Sequence, residues 1–139
     1  MPRRARTVPV ARSEARKYLG KAEQFLIEAQ AALDGERHDA ALLNAIHAAI
    51  SAADAVSVAL GGRRSTDPDH QRAVTLLEEI AGGSEGIGAR VRQLRVLLAR
   101  KNAVEYESRR ATMKDAGDSV ERADRIVGWA RRTVVEARV

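Results

Sequence analysis

The spacing of apolar residues constrains the fold of this chain more than any other feature of its sequence. Tyr18, Ala22, Phe25, Ala29 and Leu33 recur at intervals of three or four residues. This interval places side chains on one face of an α-helix, whereas a half-buried strand alternates apolar and polar residues. Similar stripes run through four further segments, and no segment shows the alternation of a strand. We therefore predict an all-α protein.

Capping residues and glycines divide this pattern into separate helices. The first spans about residues 13–33, with Ser13 as its N-cap, and the second about residues 38–60, before two glycines. The third is predicted to begin with Asp67 as its N-cap and Pro68 in the first helical position. At each of these boundaries, a capping side chain accepts hydrogen bonds from free backbone amides, or a glycine allows the chain to leave the helix.

Two more helices complete the chain. The fourth spans about residues 87–102 and follows a glycine-rich segment at 81–86, which we expect to be a flexible loop. The last begins at Thr112, where Thr112 and Asp115 resemble a capping box. Short connections make neighbouring helices antiparallel, so we predict an up-and-down bundle of four to five helices.

The length of 139 residues is typical of one domain, which we place at residues 13–139. Residues 1–12 contain four arginines and two prolines and are predicted to form a flexible basic tail. No Cys is present, and the three His lack metal-ligand spacing, so we expect neither a metal nor another cofactor.

Hydropathy and composition suggest where the protein resides. No apolar run comes near the ~20 residues of a membrane span, and no apolar signal core follows the charged N-terminus. We therefore expect a cytoplasmic protein without a membrane partner. Heavy use of Ala and Arg indicates a GC-rich bacterial genome.

The charge balance favours anionic partners. Lys and Arg number 24 against 19 Asp and Glu, which gives a net charge of +5. Such a balance fits nucleic-acid binding, and it fits an ordinary solvated surface equally well. The run from residue 87 to residue 104 contains no acid at all. Its basic residues are our predicted phosphate contacts, namely Arg90, Arg92, Arg95, Arg100 and Lys101.

Helical geometry separates the last two of these residues. At about 100° per residue, Lys101 lies on the same side as Leu94 and Leu97, whereas Arg100 is predicted to face solvent. Lys101 either reaches a cleft or interface, or covers packed leucines with its aliphatic stem. Glu105, one turn later, is predicted to pair with Arg100 or Lys101.

Further polar residues suggest a network or an interface. Asn44, His47 and Asp54 lie on roughly one flank of the second helix, and Asn102 is grouped with them as a candidate. They form either a buried hydrogen-bond network or a dimer contact, and His47 could instead supply acid–base chemistry. His38 and His70 stand near helix starts and are read as surface residues.

Several segments together resemble the HEPN domain family. They are YLGKAEQFL at 18–26, GERHDAA at 35–41, the Ala-rich stretch at 44–54, and AVEY at 103–106 before a long final helix. The resemblance implies a four- to five-helix bundle, often a homodimer, that binds or acts on RNA. Catalytic members cleave RNA without a metal, using an Arg and a His four to six residues later.

This chain departs from that catalytic pattern. Arg100 is followed by Lys-Asn-Ala-Val-Glu-Tyr-Glu, without a His. The remaining catalytic candidates are Arg100, Glu105, Tyr106 and His47. A free Glu titrates near 4.3 and a Tyr near 10, so neither replaces a His at neutral pH. The missing His argues against an enzyme.

We therefore predict a non-catalytic helical module that binds RNA or another nucleic acid as a homodimer. One alternative is a protein-interaction module that docks a partner in a nucleic-acid-processing or toxin–antitoxin-type assembly. A second alternative is a diverged, metal-independent ribonuclease.

Overall fold

A computed structural model describes residues 6–108 and 110–139. Within these residues the chain forms five α-helices, which confirms the predicted all-α bundle, together with one small sheet. In chain order the elements are β1 (Thr7–Pro9), a short 3-10 turn (Arg12–Glu14), α1 (Ala15–Asp34), α2 (His38–Gly61), β2 (Arg63–Ser65), α3 (His70–Ala81), α4 (Ile87–Tyr106) and α5 (Met113–Ala137).

Helix α2 is the centre of the bundle because it packs against all four other helices. Its alanines make this possible. Ala45, Ala49 and Ala52 are at most 1% exposed, and their small side chains allow α1 and α5 to approach closely. Larger side chains fill the space around them, and those that are completely enclosed include Leu42, Ile46, Leu77, Leu94, Leu97 and Ile126.

The sheet corrects the prediction that the chain contains no strand. β1 pairs antiparallel with β2, with Val8 opposite Arg64. Beyond the sheet, the Val10 amide donates to the Gly62 carbonyl at 2.8 Å, and Arg12 Nε donates to the Ala59 carbonyl at 2.6 Å. Strands of three residues are too short to show an alternating pattern, so their pairing is visible only in the folded chain.

The same contacts change the interpretation of the N-terminal segment. Arg6 to Arg12, predicted to belong to a flexible tail, lie along the end of α2 and its following strand, and Val10 packs against a small apolar cluster there. The remaining part of the predicted tail, residues 1–5, lies outside the described residues. The guanidinium group of Arg12 therefore binds a main-chain carbonyl of α2.

The start of α3 also differs from the prediction. The helix begins at His70, and Asp69 is the N-cap, since its carboxylate accepts a hydrogen bond from the Gln71 amide at 3.0 Å. Asp67 instead accepts from the Asp69 amide at 2.9 Å, so Pro68 lies in a turn before the helix. Asp67 and Asp69 are both suitable N-cap residues, and the local sequence does not show which of them caps the helix.

The predicted start of α5 is confirmed. The Thr112 hydroxyl accepts a hydrogen bond from the Asp115 amide at 3.0 Å. α4 extends to Tyr106, four residues past its predicted end at Asn102. The chain continues as helix there because Lys101 and Glu105 pair across one turn.

The statement that no segment approaches a membrane span needs correction. By length and composition alone, α2 is apolar enough to cross a membrane, with a mean hydropathy of 1.4 in its best window. Polar residues interrupt it only at wide intervals. Two thirds of that window are buried inside the bundle, at 67%, so α2 serves here as a core helix.

Candidate functional site

The candidate site begins with a buried cation near the end of α4. Lys101 is 9% exposed and lies on the side of α4 that carries the buried Leu94, Leu97 and Leu98, as its helical position predicts. Its Nζ donates a hydrogen bond to the carboxylate of Glu105 and lies 5.6 Å from the centre of the Tyr106 ring. The predicted pairing of Glu105 is thus formed with Lys101, and it lowers the pKa of Glu105.

Two histidines from other helices share this environment. We call His47, His70, Lys101 and Glu105 the histidine–lysine cluster. Burial, followed by the charge of Lys101, lowers the pKa of His47. Burial, then Lys101 and then His47, lower the pKa of His70, against the raising effects of Asp69 and Glu105. α2, α3 and α4 therefore bring together four groups whose charges act on one another.

An open cleft lies beside the cluster. His70, Lys101, Asn102 and Tyr106 line it, with the turn at 68–69 at one side, and its volume is about 110 Å³. Tyr106 is 75% exposed, so its ring is a surface feature of this cleft and not part of the core. Amide, ammonium, imidazole and phenol groups all face one small space.

A second depression of about 310 Å³ begins on the other side of His70 and contains Asp54 and Arg64. Burial raises the pKa of Asp54 to about 6, although Arg64 and Lys21 act in the opposite direction. The Arg64 guanidinium lies 3.8 Å from the Asp54 carboxylate and 5.6 Å from the centre of the Tyr18 ring. His70 therefore lines both the cleft beside Lys101 and the depression that contains Asp54.

The network predicted for Asn44, His47, Asp54 and Asn102 is not formed. Among residues 6–108 and 110–139, no hydrogen bond joins any two of the four. The Asn44 amide donates to the Ala40 carbonyl at 2.9 Å, and the His47 ring lies 5.5 Å from that of Phe25. Asn44 and Asp54 are ten residues apart, about 15 Å along a helix, which is too far for contact.

Arg100 does not face solvent as predicted. Its Nη1 donates to Asp118 at 2.7 Å and to the Ser119 hydroxyl at 2.8 Å, both on α5. Arg122 donates to the same carboxylate, also at 2.7 Å. Burial raises the pKa of Asp118, but the hydrogen bonds from Arg122 and Arg100 outweigh this effect and lower it overall. The position of α5 is what turns Arg100 inward.

The other predicted phosphate contacts divide into two groups. Arg95 donates to Gln71 at 2.8 Å and to Glu78 at 2.6 Å, so α3 supplies an acid to the part of α4 that has none within residues 87–104. Arg92 is exposed, and Arg90 donates only to the neutral amide of Gln93, at 3.0 Å. The run from 87 to 104 is free of acids in sequence, but acids from other helices bind two of its five basic residues, Arg95 and Arg100.

Comparison with protein families assigns the fold. The model of the HEPN domain matches residues 15–133. The chain belongs to the HEPN domain family. No curated protein matches the sequence. In this HEPN domain no His follows His70, so the Arg–His pair implied by the resemblance is absent from the end of α4. Among the described residues, no group of three His, Cys, Asp or Glu could hold a metal ion.

The site of this HEPN domain contains one residue that the sequence did not indicate. The sequence predicts His70 to be a surface residue, yet it lines the cleft together with Lys101, 31 positions later. Its position at the start of α3 carries no periodic signal. Only the packing of α3 against α4 brings it to the site.

Proposed function

We propose that this HEPN domain binds RNA and that the histidine–lysine cluster makes phosphate contacts. The observation that carries the proposal is that Lys101 and His70, from two helices, line one open cleft, with His47 close enough for the charge of Lys101 to act on it. Phosphate oxygens accept hydrogen bonds from ammonium, imidazole and amide groups, and Asn102 supplies such an amide. Glu105 is the one acid of the cluster, and it balances the charge of Lys101 as long as both histidines are neutral.

The arginines of α4 contribute unequally to this proposal. Arg95 and Arg100 are held by carboxylates, which RNA phosphates would have to displace. Arg92 is exposed and Arg90 is bound to an amide only, so these two remain available to an anion. Lys101 is likewise paired, with Glu105, so we propose that Arg90 and Arg92 matter more for RNA affinity than Arg95 and Arg100.

The lowered pKa values of the two histidines predict how binding depends on pH. His47 and His70 are neutral at pH 7 and become cationic as the pH falls below their lowered pKa values. Their protonation adds positive charge beside Lys101. RNA affinity should thus rise on acidification, as long as the domain stays folded.

Fluorescence anisotropy with a labelled RNA oligonucleotide tests the proposal. Lys101→Gln should weaken binding about tenfold and reduce the slope of log affinity against log salt by about one. Arg131→Gln is the matched control, because it also removes one positive charge. Arg131 lies away from the cluster and is paired with Glu23 at 3.1 Å. Thermal melting verifies that Lys101→Gln, a change at a buried residue, leaves the domain folded.

The same titration contains the outcomes that oppose the proposal. Failure of the RNA to bind at low salt would exclude the proposal. Equal losses of affinity in Lys101→Gln and Arg131→Gln would mean that only the net charge of the domain matters. His47→Gln and His70→Gln should change RNA affinity little at pH 7 and should abolish the increase in affinity at acidic pH.

A protein partner retained after nuclease treatment would support the protein-interaction alternative instead. Homodimerisation and a cytoplasmic location, both expected from the sequence, are parts of the proposal.

A diverged ribonuclease is the second candidate, favoured by the presence of two histidines on different helices. One neutral imidazole would take the proton of a ribose 2′-hydroxyl, whose oxygen attacks the adjacent phosphorus. The 5′-oxygen leaves and takes a proton from the other imidazole, which yields a 2′,3′-cyclic phosphate and a 5′-hydroxyl. Turnover then requires an acidic pH near the lowered pKa values, at which one histidine is protonated and the other is neutral.

RNA turnover with a chelator present tests this candidate. His47→Ala and His70→Ala should each reduce the rate on the order of 100-fold, and a fully 2′-deoxy strand should not be cut. Glu105→Gln and Arg100→Ala report on the other candidates. Turnover that persists unchanged in both histidine variants belongs to a contaminant.

A further inference from the structure

A second candidate site lies at the opposite end of α4, away from the histidine–lysine cluster. It is a groove of about 590 Å³ between the loop that precedes α4, the start of α4 and the last turns of α5. We call it the anion groove. The residues that matter for its chemistry are Ser84, Gly86, Arg90, Trp129, Arg132 and Thr133.

The arginines at this groove lack neutralising partners. Within the described part of the chain, Arg132 forms no ion pair, and Arg90 donates only to the amide of Gln93 at 3.0 Å. Arg125, which is nearby, is paired with Glu121. Burial, and then the positive charges of Arg125 and Arg132, lower the pKa of Arg90. Like charges are thus held together, and a bound anion would relieve their repulsion.

The main chain adds to this positive potential. Gly86, at φ 81°, precedes α4, and neither a side-chain cap nor an acidic residue occupies the first turn of that helix. The free amide groups and the dipole at a helix start favour an anion, and here they reinforce a site that the arginines already define.

The groove also contains two carboxylates, which balance the formal charge of its two arginines. Glu85 and Glu136 line the groove, and neither forms an ion pair among the described residues. Their negative charge opposes an extended polyanion along the rim. A compact group that fits between them is favoured, and the hydroxyl groups of Ser84 and Thr133 lie on the same walls.

We propose that the anion groove binds a compact phosphoryl group through Arg90 and Arg132. The group belongs either to a small phosphorylated molecule or to the terminal phosphate of a strand. Arginine suits this ligand because its planar guanidinium donates two parallel hydrogen bonds to phosphate oxygens. This site is separate from the proposed RNA-contacting cluster and does not depend on it.

Trp129 provides a local readout, because it is the single Trp of the chain and lines the groove. Titration with pyrophosphate should change its fluorescence saturably, while sodium chloride at matched ionic strength should not. Arg132→Gln and Arg90→Gln should each weaken binding about tenfold, since each removes charge-assisted hydrogen bonds. Arg131→Gln, a change of the adjacent arginine on α5, should leave the affinity unchanged.

A second arm identifies the source of the phosphoryl group. A short RNA with a 5′-phosphate that competes with pyrophosphate, while its 5′-hydroxyl counterpart does not, assigns the groove to strand ends. Competition by neither RNA assigns it to small molecules. No saturable response to pyrophosphate, an equal response to chloride, or binding that survives both arginine substitutions would overturn the inference.

Discussion

At the scale of single residues, partners from other helices determine the state of each ionisable group. Arg100 and Lys101 are adjacent in sequence but have different roles. Arg100 joins α4 to α5 through Asp118, whereas Lys101 pairs within its own helix and reaches the cleft. The helical angle correctly placed Lys101 on the packed side. It could not place Arg100, because the carboxylate that attracts it is 18 positions away.

The buried carboxylate of Asp54 leads to a prediction about stability. Its pKa rises from 3.8 to about 6 in the folded protein. The folded state therefore holds this proton more tightly, and stability falls as the pH rises from below 4 through 6. Asp54→Asn should raise the free energy of unfolding at pH 7 by up to about 3 kcal/mol, and leave it nearly unchanged at pH 4.

Urea denaturation at the two pH values measures this effect. Asp124→Asn, a change of an exposed Asp on α5, is the control and should have little effect at either pH. A loss of stability at pH 7 in Asp54→Asn would mean that attraction to Arg64, 3.8 Å away, outweighs the cost of burial.

At the scale of elements, the small side chains of α2 set the distance between helices. α2 packs against α1 and α5 through alanines that are completely enclosed. The same alanines give α2 the hydropathy of a membrane span, although most of its apolar window is buried by neighbouring helices. Composition describes the apolar surface of a helix, and only its neighbours show whether protein or lipid covers it.

This packing predicts that enlarging an alanine of α2 is costly. Ala49 is 1% exposed, so Ala49→Leu should lower the free energy of unfolding by about 1–3 kcal/mol through overpacking. Ala99→Leu, the same change at an exposed position of α4, should cost little and is the matched control. Chemical denaturation measures both. Equal effects in the two variants would contradict the close packing of α2.

At the scale of the whole molecule, a modest net charge of +5 conceals an uneven distribution. Acids from α3 and α5 neutralise Arg95 and Arg100 in the middle of α4. Arg90, which has no acidic partner among the described residues, lies near the start of α4, and Lys101, which is paired with Glu105, lies eleven residues or about 16 Å further along. The two proposed sites are therefore separate.

The sequence by itself determined the features that depend on neighbours within four positions. Apolar periodicity established five helices and one bundle, the cap at Thr112 located the start of α5, and helical angle placed Lys101 beside the leucines. The segments that resemble the HEPN family lead to the same fold. Each of these signals acts through local hydrogen bonds or through one face of one helix.

Tertiary structure alone decided the features that join distant positions. The pairing of β1 with β2, the partner of Arg100, the environment of His70 and the raised pKa of Asp54 all depend on elements far apart in sequence. The physical reason is that charge, burial and hydrogen bonding act through space over a few ångströms. Their outcome is set only when packing has chosen which elements are neighbours.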